Sequence, residues 1–347
     1  MPLAIDRLPP QSIARIGSLG ERRLRRGALR DRGKTIEIGL VNNMPDAALL
    51  ATERQFSSLL NAASGRHDVR LHLYALRDVP RSQETRGALT RTYRDAAQIR
   101  GRRLDALIVT GAEPLAPTLE QEPYWRALTE LIDWAELNTV STILSCLAAH
   151  VGVRHLDGIQ RQPLPEKCSG VFTFETMARH KLVSGLGGDV TTPHSRRNGL
   201  NPDDLDRRDY QMLTLDPQIG VDVFVKQRQS LLVFLQGHPE YEDDSLAREY
   251  RRDMNRFLRG EQDALPSIPT DYFPASIERP LAAFAERAWL DPRPELMSAF
   301  PDAGAFGAGK APWRKSAVQL YSNWLDIVAE RKAALLNEAP MAVRWGG

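Results

Sequence analysis

Thr139-Val140-Ser141-Thr142-Ile143-Leu144-Ser145-Cys146-Leu147-Ala148-Ala149-His150 is the stretch that decides how this chain is read. Thr139 to Leu144 is β-branched and apolar, the composition of a buried strand. From Leu147 onward the residues are small and apolar, as at the start of a helix. Cys146 therefore stands where a strand turns into a helix. In an α/β sheet that corner lies at the carboxyl edge, where ligands bind. A nucleophile on such a turn projects from it, and the next backbone N–H, that of Leu147, can face a developing oxyanion. The plainer alternative is that Cys146 is a small buried hydrophobe.

Upstream of this stretch, strands and helices alternate. Ile36 to Val41 reads as a strand, and Asn42-Asn43-Met44-Pro45-Asp46 is turn chemistry at its end. Ala47 to Ala63 reads as a helix with Leu50, Phe56, Leu59 and Leu60 on its apolar stripe. Val69 to Leu76 alternates and reads as a second strand, followed by a long polar, arginine-rich loop over 77–103 with room for one helix. Leu104 to Thr110 is a third strand, ending in Gly111-Ala112. Pro123 to Leu137 is a helix with Pro123 near its first turn. Four such alternations, with crossovers of helical length, predict an α/β fold built on a doubly wound, mostly parallel sheet with helices on both faces.

Downstream the pattern changes. Lys167 to Phe174, Gly188 to Thr192 and Val221 to Lys226 read as short antiparallel strands capping the sheet edge. Leu231 to Leu235 is another buried strand, with Gln236-Gly237-His238-Pro239-Glu240-Tyr241 at its end. Asp243 to Leu258 is a helix with Leu246, Tyr250, Met254 and Phe257 on its buried side. Residues 260–312 are rich in Pro, Gly and Ala and read as an extended wrap, and Trp313 to Leu336 as a last helix. The expected organisation is a basic arm over 1–34, a catalytic α/β domain over 35–260, and a C-terminal wrap and helix over 261–347 packing on it.

Composition narrows the function. The 347 residues carry a formal net charge of +2, which argues for neither nucleic acid nor membrane as a partner. Arg22, Arg23, Arg25, Arg26, Arg30 and Arg32 crowd the N-terminal arm, but Glu21 and Asp31 interrupt the run. A solvated arm packing on a partner subunit, hence a homodimer, is a better reading than a nucleic-acid tail. The two cysteines, Cys146 and Cys168, make no disulfide framework or zinc cluster and fit a reducing compartment. No apolar run is long enough to span a membrane, and the N-terminus lacks the apolar core of a secretory signal, so a cytoplasmic protein is expected. Cys168, in a strand beside Lys167 with no base near it in sequence, reads as structural.

His238 and Glu240 complete the chemistry. A cysteine nucleophile needs a base beside it, and the base needs an orienting carboxylate. His-x-Glu after a buried strand supplies both from one turn. If that strand lies beside the Cys146 strand, imidazole and thiol meet at one sheet edge.

These residues resemble the homoserine O-acyltransferase family, the homoserine O-succinyltransferase group of the class I glutamine-amidotransferase-like superfamily. The resemblance rests first on Gly237-His238-Pro239-Glu240-Tyr241 and on Cys146 following Val109-Thr110-Gly111-Ala112. Asn43-Met44-Pro45, Thr52-Glu53-x-Gln55-Phe56, Tyr124-Trp125, Glu166-Lys167-x-Ser169-Gly170-Val171, Pro193-His194-Ser195-Arg196 and Asn323-Trp324-Leu325 extend it in order from about Thr35 to Leu325. It implies a flavodoxin-like sheet and a ping-pong acyl transfer from acyl-CoA to homoserine, giving O-acylhomoserine for methionine synthesis. Acyl-CoA is a co-substrate, and neither a bound cofactor nor a metal is implied. Cys146 would carry the acyl-thioester, His238 would act as base and Glu240 would orient it. Lys167, Ser195 and Arg252 match the family's substrate-contacting positions. Backbone N–H groups at Leu147 and Ala112 would form the oxyanion hole.

The sequence also departs from the family. Leu144 and Ala148 stand where the wider superfamily favours glycines around the cysteine, which counts against glutamine hydrolysis. Leu115 falls at the acyl-specificity position, where relatives carry glycine for succinyl and glutamate for acetyl donors. The donor is thus expected to be succinyl-CoA by family prevalence, with acetyl-CoA open. Residues 276–311 read as an insertion. Rival readings are acyl transfer to serine or another hydroxyl amino acid, a glutamine amidotransferase-like hydrolase, and a binding protein on a retired catalytic scaffold.

Overall fold

The computed structural model describes residues 3–6, 35–301 and 311–338. The arginine-rich run of the N-terminal arm and part of the 276–311 stretch lie outside them. No described helix is long and apolar enough to cross a membrane.

The first half of the chain supplies most of the main sheet. In order come β1 (Leu3–Asp6), β2 (Ile36–Val41), α1 (Asp46–Ala63), β3 (Val69–Ala75), α2 (Gln83–Thr92), β4 (Arg94–Asp95), β5 (Ala106–Val109), α3 (Trp125–Asn138), β6 (Ser141–Ser145) and α4 (Leu147–Asp157). Then follow β7 (Gln162–Thr176), β8 (Asp189–Gly199), β9 (Gln211–Met212), β10 (Thr214–Asp216), β11 (Gly220–Val221), β12 (Val223–Gln227) and β13 (Leu231–Leu235). Three helices close the chain: α5 (Ser245–Leu258), α6 (Ala275–Leu290) and α7 (Arg314–Glu338).

The main sheet has the order β1-β3-β2-β5-β6-β13-β12-β9, with β4 beside β3. From β1 to β13 the neighbours are parallel, and β12 and β9 add an antiparallel edge. Alternate side chains of a strand leave opposite faces. Ile36, Ile38 and Leu40 of β2 enter one core with α1 and α7, and Val41 enters the other with α3 and α4. Helices thus cover both faces, as the alternating pattern predicts.

Several elements differ from expectation. Leu3–Asp6 is a strand parallel to Val69–His72, so the fold does not begin at Thr35. That extra neighbour makes β3 an interior strand, buried on both faces except at Arg70 rather than half-exposed. His72 lies there between Glu37 and Asp6, at 2.6 and 2.9 Å. In α1 the stripe runs through Leu49, Phe56, Leu59, Leu60 and Ala63, and Leu50 is exposed. At about 100° per residue, Leu49 and Phe56 nearly align, whereas Leu50 is displaced by about a third of a turn. The 77–103 loop, as expected, holds one helix, α2, capped by Ser82, whose side chain accepts the Thr85 N–H. The strands around Lys167 and Thr192 do not cap the main sheet. They pair as β7 and β8 in a separate antiparallel sheet, ordered β11-β10-β7-β8. The 260–312 wrap contains α6, which buries Leu281, Phe284 and Ala288 against the Tyr250 and Met254 side of α5.

Trp324 of α7 anchors one face. It is fully buried, and its indole N–H donates to Ser141 Oγ (2.9 Å), which itself donates to the Leu231 carbonyl (2.7 Å). Trp324→Ala opens a large cavity and removes the indole donor from that hydroxyl. A loss of about 3–5 kcal/mol is expected, read as a lower urea midpoint at unchanged slope. A midpoint equal to that of the unmodified chain would remove Trp324 from this role.

Candidate active site

Cys146 sits between β6 and α4 with φ 53° and ψ −116°, a left-handed backbone that a side chain seldom adopts. Its N–H donates to the Leu235 carbonyl at the end of neighbouring β13 (2.7 Å). The elbow is therefore pinned to the strand that carries the histidine turn. Leu147 opens α4, so no carbonyl four residues earlier in the helix takes its N–H. Gly111 lies against this N–H, since a Cβ there would come 3.1 Å from Leu147 N and 3.5 Å from Cys146 Cβ. The 110–112 loop is itself tied to Asn43, whose N–H donates to Thr110 Oγ1 (2.8 Å). Ala112 is half-buried against the same core. The Leu147 N–H and Gly111 of this loop thus lie close together beside Cys146.

β13 is parallel to β6, with Leu235 opposite Ser145. The two strand ends bring His238 to Cys146. His238 Nδ1 contacts Glu240 Oε1 at 2.8 Å, and the Cys146 side chain lies close enough to the imidazole to act on its charge. Burial alone would pull the ring below its ordinary value. The electrostatic pull of Cys146 and Glu240, with the hydrogen bond to Glu240, raises it well above. Tyr241 stacks on the imidazole, with ring centroids 4.3 Å apart and planes at 18°.

Lys167, Ser195 and Arg252, distant in sequence, converge on two carboxylates of α5. Ser195 Oγ and the Tyr241 hydroxyl both donate to Glu249, the latter at 2.6 Å. Lys167 Nζ donates to Asp253 Oδ2 (2.7 Å) and lies 3.7 Å from Glu249, while Arg252 Nε donates to Asp253 Oδ1 (2.9 Å). Burial pushes the Glu249 carboxyl up, but the charges of Lys167 and Arg252 and the hydroxyl bonds hold it below the usual range. Asp253 is held down by the same two cations against its burial. The Arg252 side chain is 44% exposed, so a ligand can reach it. A cleft of about 220 Å³ adjoins, with Lys167, Arg197, Tyr250, Asp253 and Leu265 in its walls.

Leu115 is 62% exposed, and its N–H donates to Glu122 Oε1 (2.9 Å). Its loop reaches α5 through Glu113, which pairs with Arg256 at 2.8 Å. Cys168 lies apart on β7, opposite Arg196, and burial pushes its thiol up. Tyr241, Glu249 and Asp253 received no role from the sequence. The spacing of Glu249, Arg252 and Asp253 puts all three on one helix face, which was the available signal.

Residues 23–334 match the family described as Homoserine O-succinyltransferase. A homoserine O-succinyltransferase of Rhodopseudomonas palustris is 52% identical over 296 residues, 85% of this chain and 89% of the relative. One from Methylorubrum extorquens is 45% identical over 300 residues, covering 86% and 89%. Among solved structures, a glutamine amidotransferase from Methylobacillus flagellatus aligns at 14% identity with a TM-score of 0.49, over 85% of this chain and 95% of that one.

Proposed function

Since the chain belongs to the homoserine O-succinyltransferase family, we propose that Cys146 carries a succinyl group from succinyl-CoA to the hydroxyl of homoserine. The observation that supports it best is the meeting of Cys146 with the hydrogen-bonded His238 and Glu240 at the ends of neighbouring parallel strands. The Cys146 sulfur attacks the thioester carbonyl and gives its proton to His238. The N–H groups of Leu147 and Ala112 receive the oxyanion. CoA leaves with the proton from His238, and the succinyl-thioester remains on Cys146. His238 then takes the proton of the homoserine hydroxyl as its oxygen attacks, and the sulfur leaves and recovers that proton.

Homoserine is a zwitterion, and the acceptor cluster pairs two cations with two carboxylates. Arg252 would hold the α-carboxylate by a bidentate pair, with Lys167 and Ser195 beside it and the adjoining cleft giving room. The product, O-succinylhomoserine, is the activated form used in methionine synthesis. CoA chemistry fits a cytoplasmic enzyme.

Mass measurement of the intact protein tests this. Succinyl-CoA without acceptor is expected to add one succinyl group, which L-homoserine then removes. Absence of that adduct overturns the reading. Serine that discharges the adduct as fast as homoserine would reassign the acceptor.

Leu115 provides a separate test of donor choice. A glutamate there would repel the succinyl carboxylate, and a glycine would give it room. Leu115→Glu is expected to lower the succinyl-to-acetyl ratio of kcat/KM and Leu115→Gly to raise it, each by about 1–3 kcal/mol of discrimination. Unchanged ratios in both would remove Leu115 as the selector.

A further inference from the structure

The motif Pro193-His194-Ser195-Arg196 gives one residue, Ser195, to the acceptor cluster. Successive side chains of a strand point to opposite faces, and His194 points away from that cluster into the protein. It is completely buried, as is Asp222, and its Nε2 lies 3.3 Å from Asp222 Oδ1. Arg196 Nε donates to His194 Nδ1 (3.2 Å), which leaves the ring proton on Nε2, facing Asp222. The pair abuts the backbone that leads into the catalytic turn. Asp222 Oδ1 accepts the Gly237 N–H (2.9 Å), the Asp222 carbonyl accepts the Gln236 N–H (3.0 Å), and the Pro193 carbonyl accepts the His238 N–H (2.8 Å). Three successive N–H groups are thus held by Asp222 and by the residue before His194. The fit leaves no space: a Cβ on Gly237 would lie 2.5 Å from Thr192 Cγ2, 2.7 Å from His194 Nε2 and 2.8 Å from Asp222 Oδ1. On the other side, Gln236 Oε1 meets His150 Nε2 (2.9 Å), one turn into the helix that Cys146 begins.

Burying a carboxylate against a neutral imidazole is a poor source of stability, because desolvating the charge is costly. What it supplies here is an acceptor of fixed direction for a backbone group next to the base. We propose that the buried His194–Asp222 pair is the positioning device of the catalytic turn, clamping Gly237 from behind so that the His238 imidazole stays in register with Cys146. Neither residue touches the reacting atoms. The inference rests on the acyl-transfer reading, in which His238 serves both half-reactions.

The test uses the full chain and counts active sites by the burst of CoA released from succinyl-CoA. Asp222→Ala is expected to slow acylation and steady-state turnover per active site by a similar factor, roughly 10- to 100-fold, as displacements of about 1 Å do. KM for homoserine stays the same. Asp222→Asn keeps an oxygen for the Gly237 N–H and recovers most of the rate. A purely structural role predicts instead a lower Tm and fewer active sites, each working at the normal rate, and that result overturns the proposal. If Asp222→Ala does not fold, His194→Gln takes its place: a slowed rate per site supports the clamp and a normal rate overturns it. Failure of the unmodified protein to acylate at all is a distinct result, which removes the acyl-transfer reading and the clamp together.

Discussion

Cys146→Ala is expected to abolish acyl transfer, by about 10⁴-fold or more, with the fold intact. Succinyl-CoA then leaves the protein mass unchanged. The substitution removes the sulfur and little else. The left-handed elbow, φ 53°, is already strained by a Cβ, and alanine adds none. The Cys146 N–H still reaches the Leu235 carbonyl, so β6 and β13 remain tied. Melting temperature and mass after incubation with succinyl-CoA check both halves of the statement. Cys168→Ser is the companion: its thiol is pushed up by burial and stays protonated, and most activity is expected to remain. Turnover that persists in Cys146→Ala would end the assignment.

His238→Asn is expected to lower kcat by about 10²–10⁴-fold, the usual worth of a placed general base. Glu240→Gln should cost less, because the amide oxygen can still accept the Nδ1–H that the carboxylate accepts at 2.8 Å. It should also move the pH profile. Glu240 is one of the groups that raise His238 well above its ordinary value. In the acyl-enzyme the sulfur is esterified, so Glu240 is the chief remaining group with that effect. Its charge gone, the imidazole loses its proton at lower pH, and the acidic limb of deacylation shifts downward. A limb that stays in place, or a rate loss equal to that of His238→Asn, contradicts an orienting role. The double variant is needed too, because residues acting as a unit do not add.

Much of this arrangement can be read from residue order. β6 and β13 are buried on both faces, β13 as a continuous apolar run and β6 as a short run of β-branched, apolar and hydroxyl residues. An abrupt change of residue type at each of their ends marks Cys146 and His238. The acceptor side is harder. Glu249 and Asp253 look like solvated charges on an amphipathic helix, and only folding brings Lys167 and Ser195 against them. Asp222 falls between two short strands with nothing local to mark it as buried. Pro280 disguises α6, whose Leu281, Phe284 and Ala288 nevertheless keep helical spacing. Leu3–Asp6 stays hidden because its partner β3 lies far along the chain. Apart from α6, these readings fail on contacts made far along the chain, whereas local pattern carries the others.

The acceptor cluster draws its two carboxylates and Arg252 from a single helix, Ser245–Leu258, while the thioester machinery hangs from the ends of β5, β6 and β13. On the proposed reading the alcohol and the acyl group would be read by different pieces of chain, joined at Tyr241, which stacks on His238 and bonds to Glu249. For a designer this is a socket and a plug. One face of a fourteen-residue helix can be rewritten to admit a different amino alcohol, and the acylating half need not be rebuilt for the purpose.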